Sequence, residues 1–558
     1  MDKSSSGAAM AALAPLRTAA RLFRRFRSRL VAAYSRFAMR RLPRAQLADG
    51  APRRVLFWVP GGMPAMLDVE GAIAAALTAR GTNTSAILCN GAYTACVKRD
   101  VRDKRPISEW SADCASCTRN SVRAIERLGI PFTFIGDYVD ADTRVRLRSL
   151  SHTVSWENLD DFNYEGIAVG KNIRSAIIRY LQGHDFPDRE ELVHEYAYSA
   201  LICAQAAKAA YAHFRPDRVF MSHGVYVDWG PALHAALNEN LPVTAWMASY
   251  LKARFYFRNV EDHVRVDFHN MSERAWKHWG NKALTETQEA QLDAFLAERY
   301  LEKASFDMKQ LGDYSGDLNA LRQRLQLPTG RPIWGIFAHI NWDTVSDYAP
   351  MAYESFNQWM VDTVRQVAAL TEVTWLIKVH PAESWDNPDS GVERLLQKTF
   401  PHLPDHIRVI AANEKFSPLD FIQLVDGGVT VYGTAGLELA LLGKPVICAG
   451  ESHYGCKGFT YDGLTIDTYR KLLARAPRLG QLDAAQKCLA RRYAHIYFMR
   501  RQIPLHVVDD PTSDWWRFLV RRRASLLPGR DPFVDLICSR IGDGEDFILD
   551  DALLAVSR

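Results

Sequence analysis

Four stretches in the C-terminal half of the chain each carry an apolar run into side chains capable of chemistry. "FAHINWD" supplies His339 and Asn341, "WLIKVHPAESW" supplies Lys378, His380 and Glu383, "VYGTAGLELA" supplies Thr434, Gly436 and Glu438, and "AGESHYGCKGFTYD" supplies His453 and Lys457. Imidazoles and ammonium groups suit the stabilisation of phosphate charge. Thr434 and Gly436 stand where a helix should begin, and the free N–H groups and dipole of a helix N-terminus favour a phosphate. Glu438, one turn further, is placed to reach a ribose hydroxyl. Each stretch alone has a plainer explanation, since a His before Pro is usually a loop residue and Gly-Thr-Ala-Gly is often a turn with a cap. They become one site only if their loops open on the same edge of one sheet.

The surrounding pattern predicts that arrangement. Strands "PIWGIFAH", "VTWLIKVH", "IRVI", "GVTVY" and "PVICAG" alternate with helical stretches at 353–370, near 391–399, in "SPLDFIQLV" and in "AGLELALLG". Alternation of this kind gives a parallel sheet covered by helices on both faces, and such sheets bind ligands outside the carboxyl ends of their strands. The first half begins likewise, with "RRVLFWVPGG" running into the helix-like "DVEGAIAAALTARG". The unit "PDRVFMSHGVYVDWGPALHAALNENLPVTAW" repeats the idea. The expected organisation is a basic segment over 1–50, a first α/β domain over 51–265 and a helical linker over 266–330. A second α/β domain over 331–490 and C-terminal helices over 491–558, crossing back to the first domain, complete it.

Within the first domain, Asp68 and Glu70 follow the Gly61-Gly62 loop, and His223 and Asp228 lie in "SHGVYVDWG". These are candidate general bases, although Asp68 could equally cap the helix expected to start there. "DDFNYEG", with Asp160, Asp161 and Glu165, is a third choice. Cys89, Cys96, Cys114 and Cys117 follow C-x6-C-x17-C-x2-C. A structural zinc usually wants two close pairs or a pair with nearby histidines, so buried or loop thiols are expected here, with no cofactor.

The chain has 558 residues, 48% hydrophobic and 24% charged, the balance of a multidomain globular protein. No window approaches the roughly eighteen uninterrupted apolar residues of a membrane helix, and no secretory signal is apparent. Nine scattered cysteines suit a reducing compartment. The net charge of +5 is concentrated near the start, where Arg17, Arg21, Arg24, Arg25, Arg27 and Arg29 meet no acid. Leu16, Phe23, Phe26, Leu30, Tyr34 and Phe37 make one apolar stripe on this arginine-rich segment, so residues 12–45 are expected to lie as a helix on an anionic membrane surface. The expected location is cytoplasmic, peripheral on the cytoplasmic face of the inner membrane, with no nucleic-acid partner.

The order "FAHINWD", "IKVHPAE" and "RVIAANEKFSPLDFIQLVDGGVTVYGTAGLELALLGKPVICAGESHYGCKGFTYD" resembles the C-terminal half of capsule polysaccharide biosynthesis proteins, which look like GT-B glycosyltransferases. The resemblance covers roughly 330–465 and is vaguer over 54–260. It implies two Rossmann-like domains facing across a cleft, a nucleotide-sugar donor held by the second, and a glycan or lipid-linked acceptor on the first. It also implies that His380-Pro381 is the His-Pro element of transferases using CMP-sugars or CDP-polyols, with His380 and Thr434 on the donor phosphate. Two departures are visible. Tyr432-Gly433-Thr434-Ala435 retains one hydroxyl where two are usual, and Gly455-Cys456 replaces an expected Arg-Gly. The activity implied is metal-independent glycosyl transfer to a surface, capsule-like polysaccharide. The alternatives are a CDP-polyol phosphate transferase and a sugar-nucleotide epimerase.

Overall fold

The computed structural model describes residues 30, 33–34, 37–39, 41–182, 189–260, 268–301, 312–342, 350–383, 391–508 and 523–557. Most of the amphipathic segment expected over 12–45 therefore falls outside the described residues.

The first sheet is built from β1 (Arg54–Val59), β2 (Asn83–Leu88) and β3 (Phe132–Phe134). After a small hairpin of β4 (Asn163–Tyr164) and β5 (Ile167–Ala168), it continues with β6 (Arg218–Ser222), β7 (Val243–Ala248) and β8 (Arg254–Val260). The second sheet comprises β9 (Ile333–Phe337), β10 (Thr374–Lys378), β11 (Ile407–Ile410), β12 (Gly427–Thr430), β13 (Val446–Cys448) and β14 (Tyr461–Asp462). A last strand, β15 (Ile503–Pro504), returns to the first sheet and pairs antiparallel with β8. Pro504 is tolerated there because β15 is an edge strand.

Both sheets are covered on both faces, and β1 shows why its sequence is apolar without alternation. Leu56 and Trp58 enter one buried cluster while Val55, Phe57 and Val59 enter another. Each successive side chain points to the opposite face, and both faces are dry. The same division separates Leu376 from Trp375 and Ile377 on β10.

Numbered by appearance within its sheet, the second set runs 3-2-1-4-5-6, since the spatial order is β11-β10-β9-β12-β13-β14. The parallel part of the first sheet, β3-β2-β1-β6-β7, has the corresponding 3-2-1-4-5 order. Each sheet thus has a switch point where connections depart in opposite directions, between β1 and β6 in the first and between β9 and β12 in the second. The chain passes from the second sheet to the first through helix Ala484–His495 and a π-helical turn at Ile496–Arg500. Helix Pro532–Asp543 then packs on helix Pro64–Ala79.

Candidate functional site

Loops at the carboxyl end of β9 and β12 meet at the second switch point. His339, just past β9, accepts N–H bonds at Nε2 from Val431 (3.3 Å) and Tyr432 (3.1 Å), and its ring stacks on Phe356 at 4.5 Å. An accepting Nε2 means a neutral ring with its proton on Nδ1. Burial, aided by the neighbouring His380, depresses its pKa to about 3. His339, expected among the donor-binding residues, is therefore a clamp between β9 and the β12 loop.

The loop it clamps leads into helix Thr434–Leu441, whose N-cap is Gly433 and whose first N–H groups receive no capping side chain. Thr434 is its first residue. Gly436 has a packing role, since a Cβ there would stand 2.1 Å from the hydroxyl of Tyr454. That hydroxyl donates to the Gly433 carbonyl at 2.6 Å and so fixes the turn from beneath. Glu438 is buried at 5% exposure and pairs with Arg299 at 3.3 Å. Tyr300 engages the same carboxylate.

After β10 the chain turns at His380-Pro381. The Ala382 N–H donates to His380 Nδ1 at 3.2 Å, which puts the proton of the neutral ring on Nε2. Glu383 accepts from the Val392 N–H at 3.0 Å, at the start of helix Val392–Thr399, and burial raises its pKa to about 7. Its other oxygen, Oε1, is buried without a protein partner. Lys378 donates to the carbonyls of Val379 (3.1 Å) and Ala411 (3.4 Å) and lies over the Phe416 ring, with burial lowering its pKa to about 8. It ties β10 to the β11 loop and is directed away from the donor role expected of it. Asn341 is half-buried, and its Oδ1 has no protein partner.

Two further expected contacts have protein partners. His453 is buried, bonds Tyr493 through Nδ1 at 2.9 Å and stacks on Tyr497 at 4.4 Å, and burial holds its pKa well below the usual value. Its ring also lies 5.7 Å from His269, so it belongs to an aromatic cluster joining the second sheet to the crossing helix. Lys457 is half-buried, with its amine 3.4 Å from the Gly455 carbonyl and the acids Glu451, Asp462 and Glu273 acting on it. Of the donor set read from sequence, Thr434 opens a helix at this edge, His380 follows β10 on the same edge, and Asn341 Oδ1 and Glu383 Oε1 are buried without a protein partner.

At the first switch point the Gly61-Gly62 loop follows β1. A Cβ on Gly62 would meet the Cys117 carbonyl at 2.5 Å, and the Gly62 N–H instead donates to Cys117 Sγ at 3.1 Å. Helix Pro64–Ala79 begins four residues before Asp68, with Met63 as N-cap, so Asp68 is in its interior and does not cap it. Asp68 is half-buried, its Oδ1 has no protein partner, and burial pushes its pKa to about 8. Glu70 is fully buried, bonded by Trp246 Nε1 at 3.4 Å, and is also pushed to about 8. His223 takes a left-handed backbone (φ 52°), contacts Ser222 Oγ through Nδ1 at 2.5 Å, and is lowered by burial to about 4. Asp228 accepts the Val97 N–H at 3.1 Å.

Cys89, Cys96, Cys114 and Cys117 are free thiols, and among the described residues no group of three or more His, Cys, Asp or Glu side chains is placed to hold a metal. The sequence reading missed Arg299 and Tyr454. Both act on the helix at Thr434 from distant segments, and neither sits in a local pattern that would announce it.

Residues 298–497, about a third of the chain, match the family model described as capsule polysaccharide biosynthesis protein. This segment contains every strand of the second sheet. No curated protein matches the chain. Among solved structures, a beta Kdo 2,4 transferase, KpsC of Thermosulfurimonas dismutans, is similar at 16% identity and TM-score 0.34, over 58% of this chain and 87% of its own. A beta Kdo 2,7 transferase of the same KpsC is similar at 14% identity and TM-score 0.30, over 52% and 80%. UDP-GlcNAc 2-epimerase from Neisseria meningitidis is similar at 9% identity and TM-score 0.25, over 79% and 97%.

Proposed function

We propose that this chain, whose second sheet lies within a capsule polysaccharide biosynthesis match, is a GT-B-type glycosyltransferase moving a sugar from a nucleotide-sugar donor to a capsule-like polysaccharide or related glycoconjugate. The observation that carries the reading is the switch point of the matched segment, where His339 has the loop leading into the Thr434 helix on one side and is acted on by His380 on the other. Open α/β sheets bind nucleotides at such a point, with phosphate on a helix N-terminus. His380, through Nε2, and the N–H groups of Thr434 and Ala435 at the start of the helix hold the donor phosphates. Asn341 Oδ1 accepts from a base or ribose donor group. As the nucleotide departs, the helix dipole and His380 stabilise the growing phosphate charge, so the reaction needs no metal. Asp68, across the cleft expected between the two domains, takes the proton of the acceptor hydroxyl as the anomeric carbon becomes oxocarbenium-like.

Thermal shift with UDP-, GDP-, CMP- and CDP-linked donors tests the donor site. One donor at a hundredfold over its Kd should stabilise the protein by about 2.7 kcal/mol. His380→Ala should weaken that response about 10- to 100-fold in affinity, as expected on losing a hydrogen bond to a charged group. A wild type indifferent to every donor, or an equal response from the variant, removes the donor site as drawn.

We also propose peripheral docking on the cytoplasmic membrane face through residues 12–45, resting on the arginine and aromatic pattern of that segment. Among the described residues no helix is long and apolar enough to cross a membrane. The full chain should float with vesicles containing anionic lipid, and a chain lacking residues 1–48 should not. Equal flotation of the two would end this part of the reading.

A further inference from the structure

The carboxyl edge of the first sheet carries a cationic feature that the chemistry above does not use. Arg99, in the loop after β2, is 7% exposed. Its Nε is buried without a hydrogen-bond partner. Its nearest carboxylate, Asp113, is 3.9 Å away, exposed, and already bonded by Arg105 at 2.6 Å. Its other neighbours are Cys114 Sγ at 3.8 Å, a weak acceptor, and the Trp110 ring, whose centre is 5.8 Å from the guanidinium carbon. Arg179, near the end of helix Gly170–Leu181, has a similar character. Its Nε is buried and unpartnered, and its guanidinium lies 5.5 Å from the Tyr226 ring centre.

The two arginines belong to one neighbourhood. Gln182, three residues beyond Arg179, donates to Asp100 at 3.1 Å and so ties the end of its helix to the Arg99 loop. The same loop is fixed on its other side by the Val97 N–H bond to Asp228. Both guanidiniums act on the Asp228 carboxyl, and Arg179 acts on His223 at the first switch point as well. Asp228 is a buried acid on which both act. Burial nevertheless leaves it at about 7, so near neutrality it carries a full negative charge only part of the time.

Buried charges are normally paired, because desolvation without a counter-charge is costly. A guanidinium presents several N–H donors in a planar fork that matches the oxygens of carboxylate and phosphate. Here one buried and one half-buried fork, with an unpartnered Nε on each, border the edge where the proposed acceptor hydroxyl would be deprotonated. We propose that Arg99 and Arg179 form a subsite for an oxyanion, a carboxylate or phosphate carried by the acceptor next to its reacting sugar. This rests on the glycosyltransferase reading and adds that the acceptor is acidic.

The test compares binding, without donor, of oligosaccharides ending in glucuronate, in a phosphorylated sugar and in glucose, by calorimetry with the full chain. Wild type should bind one of the two acidic acceptors at least tenfold more tightly than the neutral one, and which acid wins separates carboxylate from phosphate. Arg99→Gln and Arg179→Gln should each lose that preference, while Arg179→Lys keeps part of it. In parallel, the variants should retain the wild-type thermal response to the nucleotide donor, which shows that they are folded and tests the donor site separately. Should Arg99→Gln fail to fold, the half-buried Arg179 decides. Equal binding of acidic and neutral acceptors by wild type, no binding of any acceptor, or equal loss of both classes in the variants overturns the subsite. A lost nucleotide response in wild type would instead overturn the reading on which it rests.

Discussion

Asp68→Asn should lower transfer by about 10²- to 10⁴-fold, the usual contribution of a positioned general base, while donor binding stays unchanged. The reasoning begins with burial. Asp68 lies in the second turn of the helix after β1, its Oδ1 finds no partner in the protein, and its pKa rises to about 8. A base must be deprotonated to act, so kcat/KM of the wild type should climb with pH and level off above about 8. Stability should move the other way. The folded pKa lies far above the value near 3.9 of an unfolded Asp, so folding is favoured while the group is protonated. That contribution is complete below about pH 4 and is lost as pH rises through about 8. The amide that replaces the carboxyl cannot ionise, so the variant should gain melting temperature relative to wild type across this window while losing activity. Glu70 has a similar pKa, but Trp246 and the Ser222 backbone engage it. If Glu70→Gln erased the pH limb and Asp68→Asn left it in place, the base would be Glu70.

How far these positions were legible depends on the range of the interaction that fixes them. The strands were readable because their signal is local. β1 is apolar at Val55, Leu56, Phe57, Trp58 and Val59 since both faces are covered, and such a run stands out in any sequence. The carboxyl-end loops followed from the strands, which is why His380 and Thr434 could be singled out. What the side chains do within those loops was not legible. His339, Lys378 and His453 have the types a phosphate site would use, yet each is engaged by a segment more than thirty residues away in sequence, and the Glu383 carboxylate is engaged nine residues on. His339 holds Val431 and Tyr432, Lys378 holds Ala411, Glu383 holds Val392, and His453 holds Tyr493. A polar residue at a strand end has two ways of being satisfied, by ligand or by protein, and composition does not distinguish them. Gly436 teaches the same lesson. It read as a phosphate-loop glycine, and the ring that excludes a Cβ there comes from Tyr454 on a different loop.

Arg299→Met should destabilise the protein by about 3–5 kcal/mol, the cost of leaving a buried carboxylate without its counter-charge. Arg299 is 1% exposed and Glu438 5%, so water can do little to replace the lost charge. The guanidinium also lies 5.4 Å from the Tyr250 ring centre, 5.8 Å from that of Phe498 and 5.9 Å from that of Tyr300, so its loss removes cation–π contacts too. The consequence reaches function because Glu438 stands in the helix whose first turn is proposed to hold the donor phosphates. Pairing to Arg299 couples that helix to helix Glu286–Leu301, which precedes the second sheet in the chain. Arg299→Met should therefore weaken nucleotide-donor stabilisation as well as lower the unfolding midpoint. Glu438→Gln in the same chain should recover a large part of the stability, since a neutral amide no longer requires the opposite charge. A denaturant series on the two single variants and the double variant gives the coupling directly. Single-variant losses that simply add would mean the two side chains stabilise the fold independently, and the helix at Thr434 would then be positioned by Tyr454 and the β12 loop alone.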